Sequence, residues 1–285
     1  MRIAFVTSRE AGLTQDDRAV LDPLRKLDIA VEPLVWDGRQ EIPRGFDLLV
    51  LRSCWDSHRK PRQFESWLHG LASAGAPVLN PVRPMLWNLN KKYLLEMASR
   101  GARVPKTKWF PAGFALSQPD IDFGEEVRQI VVKPAVSLNG FDTAVFEARD
   151  SRAILAASVE VLKDRDLLLQ EFIPEIRTVG ETSLVFFSGA FSHAVRKTAK
   201  RGEFRVQVEH GGSRASFRPG DRIVDQARRL LKMIDDPLLY ARVDGVEVEG
   251  ELILMELEIV DPMLFLAYDP NAAEVFARNI RQSLA

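Results

Sequence analysis

A charged hairpin is predicted between residues 240 and 262, where charged and apolar residues alternate. The alternation has the two-residue period of a β-strand, and the loop Glu-Gly-Glu centred on Gly250 contains the glycine that a tight hairpin needs. Directly opposed residues of an antiparallel pair lie on the same face of the sheet. With Gly250 at the tip, two pairs face each other: Asp244 with Glu256, and Arg242 with Glu258.

The charges on this face have the composition of a metal and phosphate site. Carboxylates as close as those of Asp244, Glu256 and Glu258 repel one another unless a cation lies between them. Mg²⁺ prefers oxygen ligands, usually one or two carboxylates with phosphate oxygens and water. Arg242 beside them can bind a phosphate through two hydrogen bonds. A solvent-facing strand with solvated charges is the alternative interpretation. The opposite face is expected to carry Ile253, Met255, Leu257 and Ile259.

Two further segments place lysines where an anion could bind. Lys133 lies inside the apolar run 130–134, and a lysine facing a buried side is costly unless an anion compensates it. The turn 137–140, Ser-Leu-Asn-Gly, can present backbone N–H groups to phosphate, although the segment lacks the Walker A spacing. An edge-strand lysine before an ordinary hairpin is the alternative. Lys91 and Lys92 fall in a helix predicted from Trp87 to about Arg100, where solvated lysines are common.

A third group of polar residues follows the third predicted strand of the chain. Arg52, Ser53 and Asp56 stand at its carboxyl end, where α/β sheets bind ligands. An arginine, a hydroxyl and an acid together could bind a zwitterionic substrate. The alternative is a surface pair of Arg52 with Asp56, with Trp55 packed beneath.

Composition excludes several classes of protein. The chain has 285 residues, 46% of them hydrophobic and 28% charged, as in ordinary globular proteins. Its net charge of −1 provides no general basic field for nucleic acid. The single cysteine, Cys54, excludes an internal disulfide framework and fits a cytoplasmic location. We expect neither a signal peptide nor a membrane span, because no apolar run approaches 18 residues.

The elements that must position these residues begin with a small α/β domain, residues 1–84. Strands alternate there with helices, which predicts a parallel sheet. The predicted strands are 2–7, 29–35, 47–51 and 77–79, and the predicted helices begin near Thr14 and span 61–74. Phe64, Trp67, Leu68 and Leu71 form one stripe of the second helix, which indicates core packing.

Further strands and helices are predicted along the rest of the chain. Predicted strands span 130–134, 167–174, 181–187 and 190–197, and predicted helices span 153–162, 221–234 and 270–284. Between them, residues 198–214 form a basic loop with three glycines, our candidate for a lid that excludes water.

The order of these parts resembles the ATP-grasp superfamily, and within it the ligases similar to glutathione synthetase and to the ribosomal-protein glutamate ligase. The resemblance covers essentially the whole chain. Its carriers are Asn90-Lys91, Val132-Lys133-Pro134, Gln170-Glu171-Phe172-Ile173, Gly180-Glu181, residues 202–207, Gly211-Gly212, Arg242-Val243-Asp244 and Glu256-Leu257-Glu258. Residues 192–197 and 240–244 also resemble the synthetase type that forms cycloserine. The resemblance implies three lobes, the first domain and two α+β subdomains, residues 85–169 and 170–285, with ATP bound between these two.

The resemblance also implies roles for individual residues. Nucleotide binding falls to Lys91, Lys133, Gly140, the hinge Gln170, Glu171, Phe172 and Ile173, and Glu181. Mg²⁺, as one or two ions that Mn²⁺ can replace, falls to Asp244, Glu256 and Glu258, although most members have asparagine at the last position. Arg205, Arg242 and Lys197 match catalytic basic residues. Arg52, Ser53, Asp56 and Gln207 are the residues expected at the organic substrate.

The reaction implied is ATP-dependent joining of a small carboxylate to an amine. A substrate carboxylate attacks the γ-phosphate, and an amine displaces phosphate from the resulting acyl-phosphate. Such chemistry needs positioning and charge neutralisation more than a protein nucleophile. Ring closure within one substrate, a phosphotransferase and a nucleotide-binding protein without ligase activity are the alternatives. We expect the protein to bind small-molecule substrates and neither nucleic acid nor membrane. A homodimer is compatible with the sequence.

Overall fold

The protein, as a computed structural model, is described for residues 1–38, 44–138 and 140–284. Asn139 of the predicted phosphate turn lies outside the described residues. The first domain contains β1 (Arg2–Thr7), α1 (Gln15–Arg25), β2 (Ala30–Val35), β3 (Leu48–Ser53), α2 (Pro61–Ser73) and β4 (Val78–Leu79). Its sheet is parallel, as predicted, with the strand order β2-β1-β3-β4. Thr14 caps α1 in a capping box with Asp17, so the predicted start of this helix is confirmed.

The segment predicted as one helix from Trp87 to Arg100 forms two short helices instead, α3 (Val82–Asn88) and α4 (Tyr93–Ser99). Asn90 breaks the helix because its side-chain Oδ1 accepts the backbone N–H of Lys92 at 3.0 Å. The N–H of Lys91 donates to the carbonyl of Ala135 at 2.8 Å, outside the helix. The break therefore directs Lys91 towards the loop that follows Lys133.

The second sheet and its helix consist of β5 (Thr107–Phe110), β6 (Gln129–Pro134), β7 (Ala144–Glu147), α5 (Ser151–Leu162) and β8 (Leu167–Glu171). The sheet is antiparallel, with the strand order β5-β8-β6-β7. Helix α5 contributes Ile154, Val161 and Leu162 to an apolar core with β6 and β8. This sheet forms one side of the cleft that is the candidate active site.

The third sheet and its helix consist of β9 (Glu181–Phe187), β10 (Ala190–Thr198), β11 (Ser213–Phe217), α6 (Asp221–Leu231), β12 (Tyr240–Val248) and β13 (Glu251–Glu258). This sheet is also antiparallel, with the strand order β11-β10-β9-β12-β13. The closing helix α7 (Ala272–Ser283) packs against the first domain, because Phe276 and Ile280 share a core with Ile3 and Phe5. The first domain and the third sheet are thus joined by one continuous core.

The charged hairpin has the predicted facing pairs, Asp244 with Glu256 and Arg242 with Glu258. The loop, however, has two residues at its tip, Glu249 and Gly250, both with positive φ, as in a type I′ turn. A bulge next to the first charged pair then restores the register that a longer loop was expected to give.

The bulge corrects the predicted faces of β13. Leu252 and Leu254 are buried in the core with Leu257. Met255 is the extra residue of the bulge and points to the charged side, where it lines the cleft. Ile253 faces Val246, which packs with Met255. The expectation that Ile253 and Met255 lie on the face opposite the charges is therefore wrong.

Candidate active site

A cleft of about 220 Å³ separates the second sheet from the third. Most of the predicted nucleotide, metal and catalytic residues line it: Lys91, Lys133, Gly140, Gln170, Phe172, Ile173, Glu181, Lys197, Arg205, Arg242, Asp244, Glu256 and Glu258. Gln207 of the predicted substrate set lines it as well. Residues that are distant in sequence are thus gathered around one cavity.

Asp244 is the most completely bonded acid of the cleft. Its two oxygens accept hydrogen bonds from the guanidinium of Arg242, at 2.8–3.1 Å, and from the hydroxyl of Ser183 at 2.6 Å. The ammonium of Lys197 lies 3.2 Å from Oδ2. Burial opposes ionisation, but the two neighbouring cations and these hydrogen bonds hold the pKa of Asp244 well below its usual range. The residue is therefore a buried carboxylate that remains charged.

The two glutamates of β13 face the same cavity, each beside one cation. Lys91 Nζ lies 3.0 Å from Glu256 Oε1, and Arg242 Nη2 lies 2.5 Å from Glu258 Oε1. Burial raises the pKa of Glu258 to about 8, helped by the charges of Glu256 and Asp244 and opposed by Arg242. A second cation near Glu258 would favour its ionised form.

Lys133 reaches the cleft from β6, as its place inside an apolar strand predicts. Its ammonium donates to the side-chain Oε1 of Gln170 at 3.0 Å, and the amide of Gln170 donates to Thr107 at 3.0 Å. Burial, together with the nearby charge of Lys91, lowers the pKa of Lys133 to about 8. A bound anion such as phosphate would restore the charged form.

The predicted hinge divides between the cleft and the surface beside it. Phe172 and Ile173 line the cleft, and Phe172 is buried. The carboxylate of Glu171 instead accepts the backbone N–H of Lys106 at 3.3 Å, so its side chain is not among the lining residues. Any contact of Glu171 with a nucleotide would come from its backbone.

Glu181 pairs with Lys197 across two adjacent strands. Gly180 permits this approach, because a Cβ at that position would lie 2.5 Å from the carbonyl oxygen of Lys197, and its φ is +83°. Burial raises the pKa of Glu181, whereas Lys197 lowers it. Lys197 thus stands between two carboxylates, those of Glu181 and Asp244.

Two loops meet at the mouth of the cleft. A Cβ at Gly140 would lie 3.3 Å from Cδ of Arg205, so the small loop after β6 touches the basic loop proposed as a lid. Arg205 forms an ion pair with Glu203, whose pKa falls to about 2 because of its hydrogen bonds to that guanidinium. Gln207 Oε1 is buried and finds no hydrogen-bond partner among the described residues, so it can accept one from a ligand.

The structure does not bring Arg52 and Ser53 to the cleft, which corrects their expected role at the substrate. Arg52 is 2% exposed and pairs with Asp17 at 2.8 Å, because that carboxylate lies beneath the end of its strand. The hydroxyl of Ser53 donates to the carbonyl of Gly12. Asp56 accepts the indole N–H of Trp36 at 2.7 Å and lines a shallower depression beside the cleft.

Several lining residues were not predicted from the sequence. Trp55, Arg214, Met263 and Phe265 line the cleft, and Ser183 supports Asp244 from behind. The guanidinium carbons of Arg214 and Arg242 each lie 5.2 Å from the ring centroid of Phe265. The ring thus holds two arginines beside the acids. The only feature of the sequence that pointed to Phe265 was its position shortly after the Glu-x-Glu motif, residues 256–258.

The carboxylates of the cleft are oxygen ligands of the kind that Mg²⁺ prefers, but the described residues do not form a preassembled metal site. In the ranges described, no group of three or more His, Cys, Asp or Glu side chains is arranged to hold a metal ion. Glu256 and Glu258 each use Oε1 in an ion pair, whereas both oxygens of Asp244 accept hydrogen bonds. Carboxylates that share a cavity with lysines and an arginine suit a metal bound together with phosphate.

Models of two protein families match the chain. The model for the ATP-grasp domain of prokaryotic glutathione synthetase matches residues 116–265. The model for the N-terminal domain of D-cycloserine synthetase DcsG matches residues 3–80. No helix in the described part of the chain is long and apolar enough to cross a membrane.

Relatives match this chain over nearly its whole length and nearly the whole of their own. The chain is 26% identical to the cycloserine biosynthesis protein DcsG of Streptomyces lavendulae, covering 99% of this chain and 98% of that one. A crystal structure of D-cycloserine synthetase DcsG superposes with a TM-score of 0.90 at 23% identity, over 100% of both chains. The D-alanine–D-alanine ligase of Bacillus anthracis in complex with ATP has a TM-score of 0.68 at 14% identity, over 100% and 96%. The chain belongs to the family of the prokaryotic glutathione synthetase ATP-grasp domain and is an ATP-grasp ligase.

Proposed function

We propose that this ligase activates the carboxylate of a small amino acid as an acyl-phosphate and joins it to an amine, releasing ADP and phosphate. The observation that carries the proposal is the row of facing charges in the cleft. Lys91, Lys133 and Arg242 stand beside Glu256 and Glu258 in one water-accessible cavity between two sheets. This arrangement suits phosphoryl transfer, in which positioning and charge neutralisation supply most of the catalysis.

The nucleotide would lie along the second sheet. Phe172, Ile173 and Ile176 provide the apolar wall that an adenine ring needs, and Lys133 and Lys91 lie where its phosphates would extend. Each lysine now bonds a neutral or acidic partner, Gln170 Oε1 or Glu256 Oε1. Both can exchange that partner for phosphate oxygens.

Mg²⁺ would be held by Glu256 and Glu258, with Asp244 as a third ligand if Arg242 moves. When bound, the ion neutralises charge on the phosphates and supports departure of ADP. Arg242 lies between Asp244 and Glu258 and would bind the transferred phosphoryl group. Lys197 keeps Asp244 ionised and would stay in place throughout.

The activated carboxylate must be shielded from water, because acyl-phosphates hydrolyse readily. Arg205 and Gly140 already meet at the mouth of the cleft, from two different loops. We infer that residues 198–214 close over the bound nucleotide and bring Arg205 to the phosphate. Gln207 would then contact the substrate through its buried Oε1.

A second candidate function is closure of a ring within one substrate. It is favoured by the full-length match to a cycloserine biosynthesis protein and by the family match of residues 3–80. The cycloserine ring joins the carboxyl carbon of serine to a nitrogen carried on the side-chain oxygen of the same molecule. Activation of the carboxylate would be identical in both cases, and only the source of the amine differs.

One experiment tests the proposal and separates its two forms. The protein is incubated with ATP, Mg²⁺ and a panel of D- and L-amino acids, alone, with amines, or with hydroxylamine as a trap for the acyl-phosphate. O-Amino-D-serine and O-amino-L-serine are included as ring-closing candidates. ADP release that depends on an amino acid, with a hydroxamate or amide identified by mass, supports ligation. Loss of water from O-aminoserine alone supports ring closure, and absence of carboxylate-dependent ADP release overturns the proposal.

A further inference from the structure

A second cavity of about 220 Å³ adjoins the cleft, between the first domain and the end of β13. The wall shared by the two cavities is lined by Lys91, Ser137, Leu138, Glu256 and Glu258. The outer wall includes His58, from the turn before α2, and Asp261, three residues beyond Glu258. Neither residue has a role in the nucleotide, metal or catalytic set described above.

Asp261 lines this cavity and has one carboxylate oxygen without a hydrogen-bond partner in the described part of the chain. Its Oδ2 is buried and has no hydrogen-bond partner among the described residues. A backbone hydrogen bond from Cys54 and the charge of Arg52 favour the ionised form, but burial outweighs them and raises the pKa of Asp261 to about 7. An unpaired buried carboxylate is costly, and a cationic ligand would remove that cost.

His58 supplies a second acceptor. Its Nδ1 lies 2.7 Å from the carbonyl oxygen of Trp55, which can only accept, so Nδ1 carries the proton. Burial lowers the pKa of His58 and keeps the ring neutral. Its Nε2 is then an acceptor. Asp261 and His58 therefore offer one charged and one neutral acceptor to a ligand.

The shared wall has a different character. Lys91 is the one ammonium group among the described residues of this cavity, and it lies 3.0 Å from Glu256 and 2.7 Å from the carbonyl of Ser137. No arginine lines the described part of the cavity. The outer wall thus favours a hydrogen-bond donor with positive charge, and a carboxylate is attracted only on the side of the cleft.

We propose that the second cavity binds the ammonium group of an α-amino-acid substrate, with Asp261 Oδ2 as its charged acceptor and His58 Nε2 as its neutral acceptor. The inference rests on the proposed function and specifies which end of the substrate lies where. With its ammonium at Asp261, the substrate presents its carboxylate to the shared wall beside Lys91, where the γ-phosphate is expected. Asp261 is then a determinant of specificity for amino acids over simple carboxylic acids.

The test compares D-serine and L-serine with 3-hydroxypropionate, the same molecule without the amino group. Hydroxamate formation with ATP and hydroxylamine gives kcat/KM for each acid. The ratio of serine to 3-hydroxypropionate does not depend on how much of a variant is folded. We expect Asp261→Asn to lower this ratio at least about tenfold and to leave the KM for ATP unchanged, since a charge-assisted hydrogen bond is lost only with the amine. Glu65→Gln, which removes an exposed charge from the rim of the same cavity, should keep the ratio.

Outcomes separate this inference from the proposed function. An unchanged ratio in Asp261→Asn, or an equal fall in Glu65→Gln, overturns the assignment of the ammonium site and leaves ligation intact. The assignment of the ammonium site is also overturned, with ligation left intact, if the unmodified protein activates 3-hydroxypropionate as readily as serine. If none of the three acids supports ADP release, while other carboxylic acids without an amine do, the inference also fails. If no carboxylate of any kind does, the proposed function fails with it.

Discussion

Arg242 and Asp244 stand two residues apart on β12, and Nη2 of the arginine lies 2.8 Å from Oδ2 of the aspartate. Side chains two apart on a strand share a face, so the pair is a direct consequence of the strand. The same guanidinium bonds Glu258 on the neighbouring strand and the carbonyl of Met263 beyond it. One arginine thus ties the acids of the hairpin to the segment that connects them with the first domain.

Asp244→Asn should destabilise the fold as well as reduce activity. The substitution leaves the buried cations of Arg242 and Lys197 with one carboxylate fewer between them. We expect the free energy of unfolding to fall by about 3–5 kcal/mol, the usual range for breaking a buried pair. Urea denaturation measures the loss. Asp225→Asn, in an exposed pair with Arg228, should change stability by less than about 1 kcal/mol and serves as the control. Equal stability of the two variants would contradict the buried network.

Glu256→Gln should abolish turnover and leave the fold intact. The glutamate faces Asp244 and lies at the shared wall, but its side chain is 33% exposed, so losing its charge costs little stability. Added Mg²⁺ should not restore its activity, whereas Glu258→Asn, which keeps an oxygen ligand, should be partly rescued. ADP release across a Mg²⁺ titration measures both variants. Glu249→Gln at the exposed hairpin tip is the control, and near-normal activity of Glu256→Gln would refute the metal assignment.

Nucleotide affinity should weaken above pH 8. The pKa of Lys133 is about 8 in the unliganded protein, so the lysine is a cation below that pH and becomes neutral above it. Binding phosphate requires the cation, and one pH unit above the pKa only about a tenth of the lysine is protonated. We expect the Kd of a non-hydrolysable ATP analogue to rise up to about tenfold from pH 7 to pH 9. In Lys133→Arg the rise should be smaller, because arginine stays charged. Calorimetry showing the same pH dependence in both proteins would exclude this lysine as the cause.

Arg52→Met should act on stability before it acts on kinetics. It strands the buried carboxylate of Asp17 and removes a hydrogen bond to the carbonyl of Pro262, so unfolding should cost about 3–5 kcal/mol less. The KM for ATP and that for the amino acid should then change together, if at all. Arg59→Met, in an exposed pair with Glu10, is the matched control. A raised KM for the amino acid alone, with unchanged stability, would show that Arg52 acts in substrate binding.

The sequence was sufficient to predict the hairpin pairs but not the reason for them. A loop centred on Gly250 was expected to set the register, whereas the structure combines a shorter loop with a bulge at Met255. The two one-residue differences cancel at Asp244 and Glu256. Apolar residues occupy both faces near the bulge, so the pattern alone gave no sign of it.

Long-range partners were the other limit of prediction. The strand that ends at Ser53 was predicted from its apolar run, but the position of Asp17 beneath Arg52 depends on how α1 packs, 35 residues away. The proposed role of Asp261 likewise depends on the fold, because only the folded chain brings the turn at His58 to the same cavity. Lys133 and the hairpin acids were easier to predict, because strand chemistry constrains each of them locally, whereas the role of Lys91 was implied only by the family resemblance.

Isotope transfer from the substrate carboxylate tests the central claim most directly. The amino acid found to support turnover is labelled with ¹⁸O in both carboxylate oxygens and incubated with ATP and Mg²⁺. If the carboxylate attacks the γ-phosphate, each turnover must leave one labelled oxygen in the released phosphate, with ADP as the other product. Mass spectrometry of the phosphate gives the answer. Unlabelled phosphate, or label found in AMP, would contradict activation as an acyl-phosphate.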